Sequence, residues 1–181
     1  MTSSRETPGF RGLSHLTPAG AARMVDVSAK AETVREAVAR ATLKMKPATL
    51  AAIRAGQVAK GDVLAVARTA GIMGAKRTPE LIPLCHPLRI TGVYIDFLLD
   101  AKRSAITIEA RVRTVDKTGV EMEALTAAAV AGLTVYDMVK AVDRGVALTE
   151  LRLMEKSGGK SGHWRRRSRA SVVRAKPEIR A

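Results

Sequence analysis

Asp137 and Lys140 lie three residues apart in "VYDMVK". On a helix that spacing puts a carboxylate and an ammonium on one face. Two opposed effects then act on the lysine. Loss of water disfavours its charged form, and the carboxylate favours it. A lysine held between them can give and take a proton near neutral pH. The plainer alternative is a surface ion pair contributing about 0.2–0.5 kcal/mol to the helix. The mostly apolar residues around the pair argue against a fully exposed face.

Three other stretches carry reactive groups. "GVEMEA" places Glu121 and Glu123 near the start of the same helix. Negative charge is favoured there by the helix dipole, and a glutamate can also accept two N–H bonds from a guanidine-like edge. "LIPLCHPL" sets the only cysteine, Cys85, beside His86, between Pro83 and Pro87. The prolines stiffen the backbone and remove donors. Neighbours on an extended chain point to opposite sides, so Cys85 and His86 are not expected to pair with each other. His86 would then offer a ring nitrogen to a ligand while Leu84 or Cys85 packs; a satisfied structural histidine is the alternative. One cysteine and one nearby histidine are too few for zinc, so no metal site is expected. "SGGKSG" evokes a phosphate loop, but the glycine needed six positions before Lys160 is Met154, and no long helix follows. Its backbone N–H groups and lysines can still meet an anion, or it is a plain loop.

The chain as a whole suits one domain. It has 181 residues, 46% hydrophobic and 27% charged, with 3% aromatic, so its core is aliphatic. The net charge of +14 is uneven: residues 163–181 carry seven Lys/Arg against one acid, and residues 1–23 carry three against one. A basic chain binds nucleic acid or takes a small polyanion into a lysine-rich pocket. Nucleic-acid docking needs basic residues interleaved with aromatics, and only Trp164 lies inside a basic run, so nucleic acid is not the expected partner. "RRRSR" (Arg165 to Arg169) reads as a solvated extension. No apolar run approaches the roughly 18 residues of a spanning helix, and the first residues lack a signal-peptide centre. No membrane association is expected, and a single cysteine fits a reducing cytoplasm.

Hydrophobic spacing gives the elements. Residues 1–23 read as a flexible leader, 24–162 as the folded domain and 163–181 as a basic, disordered tail. "MVDVSAK" is a short strand or extended entry, with Ser28 as a cap. Val34, Val38 and Ala41 predict a helix over Lys30–Met45, stopped by Pro47. "PATLAAIRAG" and "KGDVLAVARTAGIMGAKR" predict two further helices, with Asp62 near the start of the second. "RITGVYIDFLLD" and "SAITIEARVRTVD" alternate with a period of two and read as a hairpin with one wet face. Val120–Asp143 is the longest helix, apolar enough in its middle to be buried on most sides. "VALTELRLMEK" closes the set as a strand. The order predicts an α+β fold: an antiparallel sheet with helices on one face.

In this order, "MVDVSAKAETVREA", "KGDV", "AKRTPELIPLCHPL", "KTGVEMEALTAA", "LTVYDMVKAV" and "KSGGKSG" closely resemble the cyclic pyranopterin monophosphate synthase family of molybdenum cofactor biosynthesis, the MoaC proteins. The resemblance spans about Met24–Gly162. It implies a ferredoxin-like fold and a homohexamer, a trimer of dimers with the active site at the dimer interface. It implies a lyase that converts (8S)-3′,8-cyclo-7,8-dihydroguanosine 5′-triphosphate, made from GTP by a radical enzyme, into cyclic pyranopterin monophosphate and pyrophosphate. The positions matching the catalytic pair are Asp137 and Lys140. Those matching substrate contacts are Leu84, Cys85, His86, Met122 and Glu123. Lys60, Glu121 and Lys156 fall on pocket positions, as does Asp26, and Lys160 is a further candidate for phosphate. No cofactor is implied, although Mg2+ can arrive with the triphosphate. Where relatives commonly have a histidine before "MVDVSAK", this chain has Arg23.

Overall fold

The computed structural model describes residues 20–167. Most of the expected leader, and the tail from residue 168 on, lie outside the described residues. The stretch expected to be a helix from Lys30 is instead β1 (Thr33–Lys44). Its core face is made of Ala37, Ala39, Ala41 and Leu43, all essentially buried. Val34 and Val38, whose spacing suggested a helix, share the opposite face with Glu36 and Arg40. Strong helix formers here are overridden by partners on both sides: β1 pairs antiparallel with β3 (Ala105–Asp116) and with β4 (Ala147–Ser157).

Between β1 and β3 come α1 (Pro47–Arg54), α2 (Val63–Lys76), a single turn α3 (Thr78–Leu81) and β2 (Ile90–Asp100). Pro47 opens α1, as its fixed φ allows. Buried Asp143 accepts from Lys46 N at 2.8 Å and Thr49 Oγ1 at 2.9 Å, satisfying the start of α1 from across the fold. Asp62 caps α2, accepting from the backbone of Leu64 at 3.1 Å and Ala65 at 3.0 Å. β2 and β3 form the expected hairpin, with Leu99 opposite Ile106 and Phe97 opposite Ile108. After β3, α4 (Glu121–Val139) crosses the sheet and leads to β4.

The sheet order is β2-β3-β1-β4-β5, with β5 the residues Trp164–Arg165, and every pairing is antiparallel. The βαββαβ sequence of its main elements is the ferredoxin-like arrangement that the sequence implied. α2 and α4 pack together on one face. The other face is wet and laced with ion pairs: Arg40–Glu109 at 2.6 Å, Arg113–Glu36 at 2.7 Å, and Arg111–Glu36. Order also runs past the boundary expected at Gly162. Trp164–Arg165 form the two-residue β5 against Glu155 and Lys156, so this part of the basic run is an edge strand rather than a disordered tail.

α4 is long and apolar enough, by length and composition alone, to cross a membrane. Here its Ala124, Ala127, Ala128, Ala131 and Val135 are fully buried against the sheet and α2, so it is a core helix. The approach to α2 is close because the contact residues are small. A Cβ at Gly71 would stand 2.9 Å from the carbonyl oxygen of Ala127 and 2.4 Å from Ile95 Cδ1. Gly71→Ala should therefore lower stability by about 1–3 kcal/mol, read as a fall in the urea midpoint with an unchanged slope. An unchanged midpoint would show that the helix pair has slack.

Candidate functional site

A cavity of about 310 Å³ opens at the start of α4. Leu84, Cys85, His86, Glu121, Met122 and Glu123, six of the residues expected to meet substrate, line it together. Cys85 N–H donates to Ile82 O at 3.0 Å, closing a turn over Pro83 and Leu84 just before the two residues, and both line the cavity. His86 Nε2 lies 2.8 Å from Val25 O. A carbonyl only accepts, so Nε2 carries the proton there. Burial, and secondarily the charge of Glu123, push the Cys85 thiol up from its ordinary range, away from the reactive thiolate.

Glu123 is 3% exposed. Burial pushes its carboxyl up to about 7, with Glu121 adding to the rise and a backbone hydrogen bond opposing it. Glu121 is held by Lys156 Nζ at 2.8 Å. Gly119 makes room for that carboxylate, since a Cβ there would stand 1.9 Å from Glu121 Oε2.

The other expected residues are elsewhere. Asp137 sits in the last turn of α4 and Lys140 just beyond it, 2.6 Å apart through Oδ1 and Nζ. Lys60 joins them, donating to Asp137 Oδ2 at 3.1 Å and to its backbone carbonyl at 2.8 Å. The side chains of Asp137 and Lys140 are 56% and 52% exposed, so water reaches about half of each. With water present the carboxylate dominates. Hydrogen bonding and the charge of Asp137 raise the Lys140 ammonium above its ordinary range, and Lys140 and Lys60 hold Asp137 below its own. A single chain thus keeps Lys140 charged. Lys160 is exposed in a turn closed by Gly162 N–H to Gly159 O. The Asp26 carboxylate accepts from Ser28 N at 2.8 Å and does not line the cavity. Among the described residues no three His, Cys, Asp or Glu side chains cluster as a metal site would.

The two groups lie at opposite ends of one helix. Glu123 and Asp137 are separated by 14 residues of α4, about 21 Å along the axis. A MoaC family profile matches residues 24–159. The chain belongs to the MoaC family. A protein of Thermomicrobium roseum named cyclic pyranopterin monophosphate synthase is 62% identical over 154 residues, 85% of this chain and 93% of that protein. Proteins of the same name from Heliobacterium modesticaldum and Dinoroseobacter shibae are each 60% identical, covering 84% of this chain and 96% and 97% of their own lengths.

This MoaC chain also lines its cavity with residues that the sequence reading did not single out: Val25, Val27, Lys30, Leu88, Thr118 and Gly119. Most fall inside "MVDVSAK" and "KTGVEMEA", so the motifs held the signal but not which side chains turn inward. For Glu123 the folded value near 7 exceeds the ordinary 4.5. The unfolded chain ionises first, so stability is lost as pH rises between those values, by roughly 3 kcal/mol. Glu123→Gln should gain on the wild type in denaturant stability between pH 5 and pH 8. A difference that does not vary with pH would contradict a strained carboxylate at this position.

Proposed function

We propose that this chain is a cyclic pyranopterin monophosphate synthase, a lyase acting on the cyclised, dihydro GTP derivative and releasing pyrophosphate. The observation that carries the reading is the division of labour along α4. One end presents a cavity with carboxylates and a histidine, suited to a guanine-derived ring. The other presents Lys60 and Lys140 around Asp137, suited to phosphates and proton transfer. At about 21 Å apart the two ends of one copy do not meet one reacting centre. The site therefore joins the cavity of one copy to the cationic end of another. We place it at the dimer interface of a homohexamer built as a trimer of dimers. Exposed Met73, Leu133 and Val142 support burial against further copies.

In that setting Leu84, Cys85, His86, Met122, Glu121 and Glu123 hold the ring system. Lys60, Lys140 and Lys156 balance the triphosphate by charge-assisted contacts. Burial under the neighbouring copy would lower the Lys140 ammonium from its raised value towards neutrality, with Asp137 limiting the fall. Lys140 then moves protons during ring rearrangement, with Asp137 orienting it. A ribose-derived hydroxyl attacks the α-phosphorus, a new P–O bond closes the cyclic phosphate, and pyrophosphate leaves with the electron pair of the broken P–O bond. Lysine ammonium groups stabilise the charge that develops on it. No resident cofactor is needed; magnesium, where used, arrives on the triphosphate. The substrate ties the chain functionally to a radical enzyme acting on GTP, in the cytoplasm.

Two outcomes test this. Lys140→Ala should abolish product formation while Cys85→Ser retains substantial activity; an inactive serine variant would give the thiol a chemical role. Mixing matters more. Lys140→Ala and His86→Ala, each inactive alone, should recover about a quarter of wild-type activity when co-assembled, since half of random dimers regain one intact site of two. No recovery would place both halves of the site in one chain.

A further inference from the structure

The wall of the cavity opposite α4 is a strap without regular structure, residues 25–30, and it is pinned at several points. His86 Nε2–H donates to Val25 O at 2.8 Å, and Lys117 Nζ donates to Ser28 O at 2.9 Å. Ser28 N–H donates to Asp26 Oδ1 at 2.8 Å, and Lys30 N–H donates to Val27 O at 3.0 Å. These bonds fix the course of the strap at the point where Lys30 enters the cavity lining. Lys30 is the one lysine or arginine among those lining residues, which otherwise include two carboxylates.

A guanine-type edge shows a carbonyl oxygen, a ring N–H and an amino group side by side. A carboxylate can accept from the last two, but it repels the carbonyl. The carbonyl needs a donor next to the glutamates. The Nε2 proton of His86 is already committed to Val25 O, and Lys156, held on Glu121, is not among the residues that line the cavity. We propose that Lys30 is the specificity-determining residue of this cavity: its ammonium donates to the ring carbonyl while the glutamates accept from the ring N–H and the amino group. The proposal rests on the synthase reading and assigns Lys30 to the ring rather than to the phosphates. Lys30 is exposed in the single chain, so the discrimination it supplies is that of one charge-assisted hydrogen bond, roughly tenfold or more in affinity.

The test is direct binding by calorimetry to the intact protein, with GTP and with 6-thio-GTP as probes. The second keeps the ring N–H, the amino group and the triphosphate but replaces the carbonyl oxygen with sulfur, a much weaker acceptor. Wild type should prefer GTP by at least about tenfold. Lys30→Met should lose that preference by weakening GTP alone, and Lys30→Arg should keep it. If Lys30→Met weakens both probes equally, Lys30 serves the phosphates or the strap, and the proposal falls. If Lys30→Met keeps the preference, another group reads the carbonyl, and the proposal falls as well. A wild-type assay with the cyclised substrate separates this from the parent reading. Product formation with a failed selectivity test overturns the role of Lys30 alone, and absence of product overturns the synthase reading itself.

Discussion

α4 fixes how far apart the two kinds of chemistry can be. It is a rigid element, buried by alanines against the sheet and by close contact with Gly71 and Gly74 of α2. Its dipole sorts charge. Glu121 and Glu123 occupy the first turn, where the first backbone N–H groups have no carbonyl partner within the helix. Lys60 and Lys140 gather at the last turn, and Lys60 takes one of its free carbonyls directly. The same field that stabilises the helix therefore builds an acidic pole and a cationic pole that cannot fold back on each other.

The small residues that permit this packing also explain the sheet. β1 buries Ala37, Ala39 and Ala41 where other strands bury Ile and Val, because α4 lies close over it. β4 then brings Lys156 to Glu121, tying the far edge of the sheet to the cavity rim. Gly158 lets the chain leave β4 tightly: its φ is +94°, and a Cβ there would stand 2.2 Å from Val34 O. On this account the glycines of "KSGGKSG" serve the path of the backbone beside β1. An anion site there would rest on the side chains of Lys156 and Lys160.

Much of this was legible in the sequence. The hairpin of β2 and β3 follows from clean alternation, and α1, α2 and α4 from helical spacing with Pro47 and Asp62 at their starts. β1 was not legible. "TVREAVARATLK" is rich in helix formers, its buried alanines make a faint stripe, and Val34 and Val38 mislead by lying on the face away from α4, the first exposed and the second buried. Only two flanking strands, distant in sequence, decide its state. The four-residue α3 and the two-residue β5 are too short to leave a pattern. For the site, the motifs carried Leu84, Cys85, His86, Met122, Glu121 and Glu123 into one cavity. The turn at Ile82–Cys85 that shapes this wall of the cavity depends on a hydrogen bond that no periodicity signals. Nor does spacing reveal that Asp137 and Lys140 stand in water, far from that cavity, until the length of α4 is set between them.

The most direct measurement is a crystal structure of the Lys140→Ala variant with the cyclised nucleotide bound. The account predicts the ring system against His86 and Glu123 of one copy, with the triphosphate reaching Lys60 and the vacated position 140 of a neighbouring copy. A nucleotide whose ring and phosphates are both held by one chain, with Asp137 left in open solvent, would contradict it.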